Sequence, residues 1–172
     1  MRIRDNKGFT LIELLIVVAI IGIIAAIAVP GLLRARISGN EASAIGSLRS
    51  VSSAQADYFG LNRGNATGLD VLGALCPGMT VPFIAADLSG AAAVEKSGYN
   101  FLMIGDGAAG PADCNATPTS AGYYATAIPV TAGTTGIRGF AVDAANAIWQ
   151  NTDGTGAAPG LPFTAPATPL GR

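Results

Sequence analysis

The stretch Lys7-Gly8-Phe9-Thr10-Leu11-Ile12-Glu13 leads into an apolar run that decides how the rest of the chain must fold. From Leu14 to Val29 no side chain is charged or polar. Through Pro30 and Gly31 the run extends to Leu33, 20 residues in all. About 20 apolar residues suffice to cross a bilayer as a helix. One carboxylate, Glu13, stands just inside the front edge. An acid costs roughly 2.5–3.5 kcal/mol at a bilayer centre, so one beside a span is expected to have a partner or a task. Thr10-Leu11-Ile12-Glu13 also reads as a capping box, in which Glu13 satisfies the backbone N–H at the helix start. The two roles can coexist.

Outward from this run the helical signal continues. Ile37, Ala44, Ile45, Leu48, Val51, Ser52, Gln55, Tyr58 and Phe59 fall near one stripe at helical spacing, while Arg34, Arg36, Glu41, Arg49 and Asp57 fill other faces. A helix from Phe9 to Phe59 would run roughly 75 Å at 1.5 Å per residue. That exceeds the roughly 30 Å of hydrocarbon in a bilayer, so its second half must lie against a soluble domain. Pro30 lacks an N–H and is expected to kink the helix. Gly22, Gly31 and Gly39 lower its stability further.

After the turn signals Asn62-Arg63-Gly64-Asn65 and Thr67-Gly68, residues 60–98 are rich in Gly and Ala and have no clear period. Short helices are expected at Val71–Leu75 and Ala91–Val94. The second half reads as short antiparallel strands at Tyr99–Ile104 and Tyr123–Pro129. Gly139–Asp143 and Ala147–Gln150 form a hairpin around Ala144-Ala145-Asn146. A loop from Gly105 to Gly122 carries Cys114, and Thr131–Gly136 is a turn region. Phe101, Tyr124, Phe140, Val142 and Ile148 are expected on the face that packs on the long helix. The tail from Asn151 reads as irregular. The expected fold is α+β, a long N-terminal helix packed on a small antiparallel sheet.

The N-terminal residues resemble the signature of type IV pilins: a short basic leader, a Gly, then Phe-Thr-Leu-Ile-Glu and a long apolar helix. Here the leader is Met1 to Gly8, and Gly8-Phe9-Thr10-Leu11-Ile12-Glu13 matches without a departure. Val29-Pro30 matches the place where such helices carry a proline. The resemblance is specific from Lys7 to about Phe59 and weaker beyond. There, Gly139-Phe140-Ala141-Val142-Asp143, then Ile148-Trp149-Gln150 and Asp153-Gly154, look like the C-terminal sheet of bacterial pilins and pseudopilins. It implies a leader over 1–8, a membrane and filament-core helix over 9–33 and an amphipathic half over 34–60. A helix-to-sheet loop over 61–98, a sheet over 99–150 and a tail over 151–172 follow.

The resemblance also implies a processing route. A membrane peptidase cuts between Gly8 and Phe9, and the same enzyme methylates the new N-terminus at Phe9. Gly8 suits the cut because it places no side chain in the way of an extended backbone entering a cleft. Thr10, Glu13 and Pro30 are the expected assembly residues. The implied partners are further copies in a helical homopolymer, the peptidase and methyltransferase, and inner-membrane assembly machinery with a cytoplasmic ATPase. The chain would be a single-pass protein of the bacterial inner membrane before assembly and an extracellular pilus after it. Adhesion, twitching motility and DNA uptake are the uses such a fibre could serve. The alternatives are a pseudopilin of a type II secretion system and a membrane-anchored binding protein. An ordinary signal peptide competes for the first segment, since Ala26-Ile27-Ala28 fits a small-residue cleavage site. Against it stand the length of the apolar run, the acid at its start and the amphipathic helix beyond.

Composition narrows the function. Of 172 residues 50% are hydrophobic and 12% charged, with net charge −1. Without residues 1–8, seven basic and ten acidic residues remain, so no basic patch suggests nucleic acid. The leader's Arg2, Arg4 and Lys7 instead fit the flank that stays in the cytoplasm. There is no histidine. That removes histidine-based triads and most zinc sites, and no nucleophile–base or metal constellation can be assembled, so an enzyme and a cofactor are not expected. Cys76 and Cys114 are the sole cysteines, and in an exported domain such a pair reads as a disulfide rather than two buried thiols. Asn151-Thr152-Asp153-Gly154 hints at calcium, but with one local carboxylate a plain turn is favoured. Asn65-Ala66-Thr67 and Asn115-Ala116-Thr117 are sequons, and Thr164 to Pro169 suits O-glycosylation.

Overall fold

The structure, a computed structural model, describes residues 8–170; most of the expected leader, 1–7, lies outside them. Helix α1 spans Leu11–Asn62 and contains Pro30. The chain divides into two compact units, Met1–Arg36 and Ile37–Arg172. The described part of the first unit is Gly8–Thr10 and the opening portion of α1.

The second unit begins with the rest of α1. Arg63 ends the helix in the left-handed region, with φ of 56°, at the predicted turn. Helix α2, Leu69–Gly73, starts two residues before the expected position, and a 3-10 turn covers Ala86–Leu88. Eight strands follow: β1 Ala93–Lys96, β2 Tyr99–Gly105, β3 Ala109–Ala112, β4 Pro118–Ser120, β5 Tyr123–Pro129, β6 Gly139–Asp143, β7 Ile148–Asn151 and β8 Ala167–Pro169. Six of them form one antiparallel sheet in the order β1-β2-β5-β6-β7-β8, and β3 pairs with β4 alone. This is the expected α+β architecture.

The core lies between α1 and one sheet face. Ala44, Leu48, Val51, Ala54 and Tyr58 recur at three- and four-residue spacing and are buried. Facing them are alternate residues of β2 (Tyr99, Phe101, Met103) and of β5 (Tyr123, Ala125, Ala127), with Phe140, Val142 and Ile148. Gln55 is also inside. Its side-chain amide donates to Ala66 O and accepts from Ala66 N, which fixes the chain where it leaves the helix.

Several expectations need correction. Ala91–Val94 is not a helix: Ala93–Lys96 pairs with β2. The loop to Gly122 contains the β3–β4 hairpin, and the tail contributes β8 on the edge of β7. Tyr124 does not face the helix. Tyr123 does, and Tyr124 lies on the opposite sheet face, where its ring packs near Phe163 and its hydroxyl donates to Pro159 O. Tail residues cover that face, so β6 is buried on both sides. A Cβ on Gly139 would stand 2.2 Å from Ala157 O, which is why glycine starts this strand. Phe59, placed on the apolar stripe, is 48% exposed, and Glu41, placed on a polar face, is buried.

The disulfide joins Cys76 to Cys114 across a Cα separation of 5.5 Å. Helix α1 holds one side of it. Asn62 Oδ1 accepts from Cys114 N at 3.0 Å, and the Tyr58 hydroxyl donates to Asp113 Oδ2 at 2.7 Å. Burial opposes ionisation of Asp113, but donors from Tyr58, Thr117 and Asn115 outweigh it and hold its pKa below the ordinary value. In the chain-entropy argument, closing a loop of this separation contributes about 4 kcal/mol. Cys76→Ser with Cys114→Ser is therefore expected to lower the denaturation midpoint of the sheet unit strongly. The apolar helix should still insert in lipid, because its backbone is satisfied internally. Denaturation followed by Trp149 fluorescence checks the first effect, and vesicle flotation the second.

Candidate functional site

The helix start is built by two side chains. Gly8, Phe9 and Thr10 precede α1 and are exposed, Phe9 by 91%. Glu13 Oε2 accepts from Thr10 N at 2.9 Å and from Thr10 Oγ1 at 2.6 Å, while Glu13 N donates to Thr10 Oγ1 at 3.3 Å. This is the reciprocal capping box that the sequence predicts. Glu13 Oε1 makes no hydrogen bond among the described residues, so one oxygen is left for a further donor.

Behind the cap the helix is uncovered. Every Leu, Ile and Val from Leu14 to Leu33 is exposed by between 50% and 76%. An apolar surface of this extent is not stable against water and marks a face that meets lipid or other chains. The described part of this segment is long and apolar enough to cross a membrane.

Pro30, the third expected assembly residue, lies within α1 on this uncovered stretch, and the other predicted residues lie in the sheet unit. At Asn151–Gly154 the Asp153 carboxylate accepts from Thr155 N, Thr155 Oγ1 and Asn151 Nδ2, which closes a turn. Hydrogen bonds from the Thr155 side chain and backbone hold the Asp153 pKa below its ordinary value. Among the described residues no group of three or more His, Cys, Asp or Glu side chains is placed to hold a metal. The sequon residue Asn65 is buried and donates to Ala121 O, whereas Asn115 is exposed.

Sequence reasoning missed the ion pair that ties α1 to the turn before β6. Glu41 Oε1 accepts from Ile137 N and Arg138 N, and Glu41 Oε2 accepts from Arg138 Nε and Nη2 at 2.9 and 2.6 Å. Arg138 also donates to Gln150 Oε1 and lies 5.5 Å over the Phe140 ring. Burial opposes ionisation of Glu41, but the Arg138 side chain and the two backbone donors outweigh it and hold its pKa below the ordinary value. The signal was in the spacing. Glu41 stands four residues after Ile37 and three before Ala44, on the buried stripe.

Comparison with known proteins agrees with the N-terminal geometry. Residues 3–29 match the family described as the prokaryotic N-terminal methylation motif. The chain is 48% identical over 54 residues to the type IV major pilin protein PilA of Myxococcus xanthus, covering 31% of this chain and 24% of that protein. It is 63% identical over 38 residues to the type IV wide pilus major component PilA4 of Thermus thermophilus, covering 22% of this chain and 29% of that protein. The matches thus span about a quarter of the length of these curated relatives. No solved structure matches the chain. By its N-terminal segment, with the capped start at Thr10 and Glu13 and the uncovered apolar helix behind it, the chain carries the prokaryotic N-terminal methylation motif and is similar there to type IV major pilins.

Proposed function

We propose that this chain is the structural subunit of a type IV pilus, made as a prepilin, held in the membrane by its apolar helix and polymerised through that helix. The observation that carries this reading is the helix from Leu14 to Leu33, which is apolar and uncovered throughout and begins at the capped Glu13. Lipid before assembly and neighbouring helices after it are the two environments that would bury it. The protein's role is thereby mechanical, and its principal partner is itself. Electron microscopy of sheared surface material tests this. Cells lacking the chain should lose fibres and regain them on complementation. Unchanged fibres, with loss of protein secretion instead, would favour the pseudopilin reading.

Processing is the first step of the proposal. Cleavage falls between Gly8 and Phe9, where the exposed backbone is free to enter a protease cleft. Gly8→Trp should leave uncleaved precursor in the membrane fraction, seen as a slower band. Normal processing of that variant would argue against this cleavage site.

A further inference from the structure

The apolar run ends at Leu33, and the next charged residues are Arg34 and Arg36. Both are exposed. Ion pairs among the described residues join Lys96 to Asp87 and Arg138 to Glu41, so neither arginine has a carboxylate partner there. No acid lies between Glu13 and this pair in sequence, and the first acid after it, Glu41, is committed to Arg138.

We propose that Arg34 and Arg36 form a phosphate-binding collar that ties the apolar helix to the anionic lipid headgroups of the leaflet from which it emerges. This rests on the membrane-bound stage of the function proposed above. Three physical arguments carry it. The 20 residues from Leu14 to Leu33 rise about 30 Å, the thickness of the hydrocarbon, so residues 34 and 36 fall at headgroup depth. Side chains on a helix tilt toward its N-terminus, which here is the membrane side, so both guanidinium groups reach back toward the phosphates rather than out to water. Two positions apart on a helix is about 200° of rotation, so the pair flanks the helix on opposite sides. Arginine also offers a planar fork that binds phosphate through two hydrogen bonds, and its aliphatic stem covers the last apolar turn.

The collar sets how deep the helix sits and is a hold that a departing subunit must release. Its test uses the full chain in vesicles of mixed phosphatidylglycerol and phosphatidylcholine. Flotation is measured first, and native mass spectrometry then reads which lipids stay with the protein. The wild-type chain should retain phosphatidylglycerol preferentially. Arg34→Gln with Arg36→Gln should float equally well yet lose that preference, by about fivefold per arginine, the value of a basic residue near an anionic surface converted at RT. Arg34→Lys with Arg36→Lys should keep part of it. Equal preference in wild type and the glutamine variant overturns the collar while leaving the membrane reading standing. Failure of the wild-type chain to float overturns both. Loss of bound lipid to excess inorganic phosphate at matched ionic strength, or weaker self-association of the glutamine variant with unchanged lipid retention, also overturns it. The first would show a general anion site and the second a contact with another copy.

Discussion

Glu13→Ala is expected to abolish surface fibres while leaving insertion and leader removal intact. In the proposed subunit, cleavage creates an α-amine at Phe9, four residues before Glu13. When apolar helices leave lipid and bury against one another, an unpaired carboxylate or amine becomes costly, and pairing offsets its desolvation. The proposal is that Glu13 of one subunit accepts from the Phe9 amine of its neighbour, using the oxygen that the Thr10 cap leaves free. Removing one partner of a buried pair costs about 3–5 kcal/mol, here at every joint of the polymer. The pair would also set the axial register, because apolar contacts alone tolerate sliding. Glu13→Gln keeps the capping geometry without the charge and should assemble poorly as well. Quantified sheared-fibre yield decides this. Normal yield from both variants would reduce Glu13 to a helix cap.

Glu41→Ala should destabilise the sheet unit by about 3 kcal/mol, the lower end of the range for a broken buried pair, because Arg138 is 36% exposed and so partly hydrated. The loss leaves Ile137 N and Arg138 N without their acceptor as well as Arg138 without its anion. Glu41→Gln should cost less, since it still offers a carbonyl oxygen. The native pKa of Glu41 lies below its ordinary value of 4.5. Its contribution is therefore fully present above the ordinary carboxylate range and fades as pH falls through the depressed native value. Wild-type stability should drop across that acidic window, and Glu41→Gln should flatten the drop. Thermal melts of the full chain in detergent, followed by the sole tryptophan, Trp149, read both effects.

These two residues mark how far the sequence could be read. The cap at Thr10 and Glu13 was legible because its four residues are contiguous, and the apolar run because nothing interrupts it. Strands β2 and β5 are legible from two-residue alternation between turn signals, and β6 from a short apolar run before the Ala144-Ala145-Asn146 turn. Tyr124 is expected on the helix-facing side but lies on the other, because Tyr123 and Tyr124 are adjacent and equally apolar and composition cannot choose between them. The tail that covers Tyr124 takes its course from contacts far along the chain. The β3–β4 hairpin carries Gly110, Pro111 and Pro118, residues that give no strand signal. Glu41 reads as a surface charge although it lies on the buried stripe, because its partner stands 97 positions away.

The most direct measurement is the intact mass and N-terminal sequence of the protein in purified surface fibres. A principal component that is this chain, beginning at a methylated Phe9, is the predicted result. Fibres made of another protein, or this chain found only in the membrane or beginning at Val29, would contradict the account.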